Sequence, residues 1–477
     1  MRKVINAGHI IAFQDGGHRH LTGGHIVVEN DRIAHVGGDA FTGTADEVID
    51  ARHQIVTPGF VNTHSHLSES PLDKSFVEDR GPRNFYLSGL FEFLTARKGA
   101  MTNEARKAAV DFSMHELIRT GTTTIVELGM MGPYVAEQCE KAGLRAWIGE
   151  MYSSTTWFTD DGRTVSYRPR GDDGAAGLAN AVKFIEDYSG RANGRIQGFL
   201  SPAQVDTCSE DLLRKTKALA REMGVPTALH TSQSVPEFQE MVRRHGCSPI
   251  EWLDRIGFLG PELIMGHAIM PGGSSWVNYH APDLDLLADS GTNVAHCVWV
   301  YCRRGIAMDS YSKYLDKGIT MTLGTDTCPQ SMIEGLRWTA VMSKVQDRRT
   351  EVATAADVFN SATLAGAKAL GRDDLGRIAK GAKADLLFWE AASMTMTPMR
   401  DPVRNIVYSA QSDDLHSSMI DGVFVMRDRI VPGYDLATLT ANLQKGARHM
   451  WDNMHVEDWA HRTIDQLSPN SFPEYRA

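Results

Sequence analysis

Ile55-Val56-Thr57-Pro58-Gly59-Phe60-Val61-Asn62-Thr63-His64-Ser65-His66 is a short apolar, β-branched run that closes on two histidines one residue apart. Such a run predicts a buried strand. Strand side chains repeat every two residues, so His64 and His66 project to one face and can share an ion. The spacing alone is weak evidence, because His18-Arg19-His20 repeats it. That second pair lies between Gly16-Gly17 and Gly23-Gly24 and reads as a loop or turn. Position at a strand end and distant partners separate the two.

The surrounding chain supplies such partners. From residue 59 onward strand-like runs alternate with helical stretches, the pattern of βα units around a parallel sheet. Eight candidate strands follow: Gly59–His66, Thr122–Leu128, Arg145–Glu150, Arg195–Ser201, Pro226–His230, Leu263–His267, Asn293–His296 and Thr320–Gly324. Eight units predict a TIM barrel, whose chemistry gathers at the carboxyl ends of its strands. Three later strands also end on a metal-competent side chain, namely His230, His267 and Asp326. Imidazoles and a carboxylate at converging ends suit a divalent first-row ion with a position left open for water.

The flanks are different in texture. Residues 1–58 are short β runs separated by Asp15-Gly16-Gly17, Glu29-Asn30-Asp31 and Gly37-Gly38. Residues 372–432 return to β runs, among them Ala384–Trp389, Ile406–Tyr408 and Val423–Met426. The expected organisation is a small β-sandwich from both chain ends (1–58 and 372–432) around a barrel at 59–371, with a helical extension at 433–477. Gly162–Gly177 reads as a long loop on the barrel's active face.

Composition narrows the class. In 477 residues, 42% are hydrophobic and 23% charged, as in ordinary globular proteins. A formal charge of −10 without a basic cluster argues against nucleic-acid or acidic-membrane partners. Neither a signal-peptide pattern nor a run of about 18 apolar residues is present. The six cysteines have no CxxC spacing, so free thiols in a reducing cytoplasm are expected.

These motifs resemble the amidohydrolase superfamily, in the branch of cytosine and guanine deaminases and triazine hydrolases. The likeness runs from Thr57–His66 through Gly121–Thr124, His230, His267, Val294–Cys297 and Leu323–Asp326. It continues to Ala362–Gly371 and Gly376–Leu386. It implies that His64, His66, His230 and Asp326 hold the metal, with Asp326 also the base and His267 beside the attacked oxygen. Members with two metals carry a modified lysine at the end of strand four. Gly198–Gln204 has none, so one ion is expected, zinc first and iron or cobalt as alternatives. A small-molecule substrate and a homo-oligomer are the implied partners.

Two departures bear on the substrate. Deaminases of this branch place a glutamate three residues after the strand-five histidine, where this chain has Gln233. An amide cannot deliver the proton that ring deamination uses, although it can hold a carbonyl or an N–H. Beyond strand seven the chain reads His296-Cys297-Val298-Trp299-Val300-Tyr301-Cys302, so Trp299 and Tyr301, with His296, would build an aromatic substrate wall. Phe85, Tyr86, Phe91 and Phe93 could extend it or pack a helix. These features point to a small, largely apolar urea, carbamate or thiocarbamate, cleaved at its carbonyl, with a likeness to phenylurea and molinate hydrolases. The alternative is an aminohydrolase or dechlorinase acting at a ring carbon of a triazine or pyrimidine, with Glu127 or Glu150 as proton source.

Overall fold

The structure, a computed structural model, describes residues 1–39, 41–75 and 88–475; Phe85 and Tyr86 lie outside them. Its centre is a barrel of parallel strands. The first three are Phe60–Ser65, Thr122–Gly129 and Arg145–Tyr152, paired in that order. The fourth is broken into Ile196–Gly198 and Ser201–Pro202, both beside the third. Thr227–Thr231, Leu263–His267, Asn293–His296 and Thr320–Leu323 complete the ring. Parallel bridges Leu200↔Thr227 and Ser65↔Asp326 close the two gaps. All eight residues of Thr122–Gly129 are buried, as expected of a parallel strand covered on both faces.

The helices between strands start and stop where local chemistry directs. Glu210–Met223 begins at Ser209, whose side chain accepts from the Leu212 amide, and ends on Gly224 in the left-handed conformation. Its inner stripe buries Leu212, Leu213, Thr216 and Ala220; each buried leucine contributes roughly 2 kcal/mol.

Strands from both chain ends share one seven-stranded sheet, in the order Val423–Met426, Leu415–Ile420, Leu386–Glu390, Glu47–Pro58, Arg2–Gln14, Gly17–Glu29, Arg32–Gly37. It has its own core of Ile5, Ile10, Ile26, Val56, Phe388 and Met419. Arg145, 1% exposed, ties it to the third barrel strand by ion pairs with Asp385 (3.2 Å) and Asp421 (2.5 Å).

Three local expectations change. His18-Arg19-His20 lies within the strand Gly17–Glu29, because the turn is confined to Asp15-Gly16 and antiparallel pairing resumes at Gln14↔Gly17. Ile406-Val407-Tyr408 belongs to the helix Pro402–Tyr408. Asp401 accepts from the Val403 and Arg404 amides and Pro402 opens the first turn, so capping overrides the β propensity of the run. Within Gly162–Gly177 the chain is ordered as the second arm of a hairpin, Thr155–Phe158 with Ser166–Pro169, and the start of the helix Ala175–Tyr188.

Candidate active site

The strand-end histidines meet at the barrel mouth. His66 Nδ1 is bonded to the Leu128 carbonyl and His230 Nδ1 to the Ala203 carbonyl at 2.6 Å. Both rings therefore turn Nε2 inward, where the two nitrogens stand 3.2 Å apart. Backbone carbonyls holding the outer nitrogen are the usual support of a metal-binding imidazole. His64 is fully buried with no hydrogen-bond partner on either ring nitrogen. Asp326 completes the set: Oδ1 lies 3.4 Å from His66 Nε2 and 4.0 Å from His64 Nε2, and Oδ2 lies 3.7 Å from His267 Nε2.

Two absent side chains make room for His64. A Cβ on Gly266 would come 2.8 Å from its Cε1, and one on Gly324 would come 2.6 Å from its Cβ. The backbone also holds the first strand to the last: the Asp326 amide donates to the His64 carbonyl (2.8 Å) and the His66 amide to the Asp326 carbonyl (2.9 Å). His267 (φ 81°) and Asp326 (φ 59°) both take the left-handed conformation, strain that recurs where side chains must be aimed at a site.

Burial sets the charge state. It pushes His66 and His230 down to about 4 and His64 and His267 well below their ordinary value, so all four are neutral imidazoles, the form that ligates metals. Burial raises Asp326, opposed by His230, Arg304 and Arg303. Cys297 groups with His64, His267 and Asp326. Burial first and Asp326 second push its thiol up, which keeps it neutral and a poor ligand.

A cavity of about 100 Å³ opens beside this cluster, touching His66, His230, His267, Asp326, Gln233 and Tyr301. Tyr301 packs edge-on against His267 with ring centroids 4.9 Å apart and donates to Gln233 Oε1 at 3.3 Å. Gln233 Nε2 is buried without a partner. The loop carrying Gln233 is held by Glu237, whose carboxylate accepts from the Ser232 (2.5 Å) and Gln233 (3.2 Å) amides.

Other expected residues fall elsewhere. Trp299 packs on Trp338 (5.0 Å) away from the cavity, because Val298–Cys302 is a short helix rather than a continued strand. His296 sits behind the cavity against Tyr311 (5.4 Å). Phe91 packs on Trp157 and Phe93 lies in a separate helical core. Glu127 is taken up by the Leu67 amide and the Ser65 hydroxyl, and Glu150 by the Gly132 amide, so neither reaches the cavity. The wall is instead charged, with Glu69, Asp73, Arg97, Lys98 and Arg304 beside Leu90 and Leu94. The sequence reading missed these charges and Glu237. The latter was visible as Ser234-Val235-Pro236-Glu237, a capping signature one residue past Gln233.

Residues 55–425 match the family described as Amidohydrolase family. The chain belongs to the amidohydrolase family. This amidohydrolase is 31% identical over 418 residues to a 5'-deoxyadenosine deaminase of Methanothermobacter thermautotrophicus, covering 85% of this chain and 90% of that one. It is 29% identical over 425 residues to a 5-methylthioadenosine/S-adenosylhomocysteine deaminase of Halobacterium salinarum, covering 88% and 92%. Among solved structures it superposes on a zinc-containing adenosine deaminase from Xanthomonas campestris with TM-score 0.82, 21% identity and coverage of 94% and 98%. Zinc-containing atrazine chlorohydrolase from Arthrobacter aurescens gives TM-score 0.81, 21% identity and coverage of 93% and 100%. The amidohydrolase is therefore a hydrolase of carbon–nitrogen bonds built on the barrel of its family.

The urea, carbamate or thiocarbamate expectation is overturned by these relatives, which are deaminases of adenine nucleosides. The physical reason is visible in the cavity. Trp299 faces away, so that of the expected aromatic wall Tyr301 alone lines the cavity, beside charged side chains.

Proposed function

We propose that this amidohydrolase is a metal-dependent aminohydrolase that replaces the exocyclic amine of a purine-type ring by oxygen, with an adenine nucleoside as substrate class. The observation that carries the reading is the convergence of His64, His66, His230 and Asp326 at the barrel mouth, beside a cavity that His66, His230 and Asp326 line. Deaminase relatives spanning most of the chain support it. Those four residues would hold one divalent ion, zinc first given the two zinc-containing neighbours, with iron or cobalt fitting the same donors. The orphaned nitrogens of His64 and the carbonyl-braced rings of His66 and His230 fit that role. When bound, such an ion lowers the pKa of water to about 7 and so supplies hydroxide at neutral pH.

The chain's own groups do the rest. Asp326 accepts the proton of the attacking water, and His267, 3.7 Å away, hydrogen-bonds the oxygen as the ring carbon becomes tetrahedral. Gln233 directs its free amide N–H at a ring nitrogen and orients the base without protonating it. Asp326 returns its proton to the departing amine, the remaining proton of the added hydroxyl passes to the ring nitrogen that Gln233 holds, and ammonia leaves while the ring keeps the oxygen. The barrel over 59–371 carries this chemistry, with the end segments 1–58 and 372–432 and the extension 433–477 as its support. The six unbridged cysteines suit a cytoplasmic setting; no helix among the described residues is long and apolar enough to cross a membrane.

Incubation of the purified chain with 5'-deoxyadenosine and methylthioadenosine, before and after chelation, tests the reading. Chelator-sensitive ammonia release with formation of the inosine-type product is expected. A metal-loaded chain that releases no ammonia from any adenine nucleoside would overturn it. Gln233 favours one second reading, displacement of a triazine substituent that departs without ring protonation, and a chloro- or methoxytriazine in the same panel reads it.

A further inference from the structure

The segment that follows the C-terminal helix Leu436–Glu457 is tied to one wall of the cavity, and to a hairpin packed against that wall, by residues outside the chemistry. Glu92 lies just before the helix Phe93–Ala100, which carries Leu94, Arg97 and Lys98 into the cavity wall. Its carboxylate is buried, and Oε1 accepts from the Trp459 indole N–H at 2.9 Å and from the Arg462 guanidinium. Arg462 is itself gripped by Asp458, which is 1% exposed, through Nε–Oδ2 at 2.9 Å and a second bond at 2.6 Å. A buried carboxylate needs such a partner, since removing one member leaves an uncompensated charge.

Trp459 also reaches that hairpin. A Cβ on Gly162, in the turn of the hairpin Thr155–Phe158/Ser166–Pro169, would come 2.4 Å from its Cζ2, so indole and turn are in direct contact. The hairpin meets the cavity wall through Trp157 and Phe91 (4.9 Å), and Asp206 anchors it by accepting from Trp157 Nε1 and Tyr167 OH, each at 2.7 Å. One indole therefore bridges the wall helix and the hairpin.

We propose that Glu92, Trp459 and Arg462 form a clasp that holds this hairpin against the helix lining the cavity and so sets how tightly substrate is held. They are positioning residues; none touches the histidine cluster. The effect on substrate rests on the proposed deaminase reading, whereas the mechanical effect stands without it.

The test uses the full chain with Arg462→Ala, Trp459→Ala and the conservative Trp459→Phe, which keeps an aromatic ring but loses the N–H. Hydrogen–deuterium exchange is expected to quicken over residues 88–101 and 155–169 in both alanine variants, with the barrel strands and metal content unchanged. KM for the adenine nucleoside should rise roughly tenfold with kcat within about twofold, the pattern of lost uniform binding, and Trp459→Phe should fall between. Unchanged exchange and KM, or exchange that rises equally throughout the barrel, would overturn the clasp. A wild-type chain that deaminates no nucleoside would defeat the functional reading, and exchange alone would then decide for or against the clasp.

Discussion

Gln233 is the residue on which the rate should turn. Its side chain lines the cavity, its backbone amide donates to Glu237 and its Oε1 accepts from Tyr301, so a carboxyl in its place would inherit the same position. A positioned general acid contributes about 10²–10⁴-fold. Gln233→Glu is thus expected to raise kcat for adenine deamination at least about tenfold, read as initial ammonia release; a fall would show that the amide itself is needed to orient the ring. Gly324 makes the opposite case. Its missing side chain leaves room for His64, and the nearest atoms to an added Cβ include the His64 carbonyl oxygen at 2.9 Å, which cannot rotate away. Gly324→Ala should displace His64, lower metal per chain well below the wild-type value, and cut turnover by about 10²-fold. Elemental analysis beside a thermal melt separates this local effect from unfolding.

At the level of elements, the long hairpin Arg2–Gln14/Gly17–Glu29 is pinned to the barrel by His18. Its Nε2 lies 3.1 Å from Thr363 Oγ1, and its ring stands edge-on to Phe359. Burial first and Arg377 second push this histidine down to about 4, from 6.5 when exposed. Above pH 6.5 it is neutral folded or unfolded and contributes no pH dependence. Between pH 6.5 and 4 the unfolded chain takes up a proton that the folded chain refuses, so stability falls with pH, by up to about 3 kcal/mol. His18→Gln should flatten the thermal midpoint against pH over that window, whereas an unaltered slope would exclude His18 as a source. His18 also marks where sequence reading stopped. The strand-end histidines and Asp326 were legible because period-two alternation and the βα rhythm are local patterns that place them at strand ends. The edges of elements were not: Trp299 was misplaced because a five-residue helix replaces strand there, and Ile406–Tyr408 because a cap outweighs propensity. The charges at Glu69, Asp73, Arg97 and Lys98 share a cavity only through tertiary packing, which no local pattern carries.

Across the whole molecule, barrel and end sheet are joined by Arg145 with Asp385 and Asp421, and the Asp421 amide also donates to Asp385 at 2.8 Å. Arg145→Met leaves both carboxylates buried without their main cation, at an expected cost of about 3–5 kcal/mol. A large fall in thermal midpoint, partly restored by Arg145→Lys, is the expected result; an unchanged midpoint would mean that the sheet docks by apolar contact alone. The seam where the barrel closes has a further consequence, concerning time. Asn62 donates to Thr325 Oγ1 at 2.8 Å and accepts from its amide at 3.1 Å, across 263 residues of chain. Two proposed ion donors stand on one side of this seam and Asp326 on the other. During synthesis the histidines of the first strand therefore wait, without their carboxylate, until the eighth unit has left the ribosome. An unfinished chain thus carries no complete set of the proposed donors. The rate of ion uptake in refolding thus becomes a clock for the last event of barrel assembly.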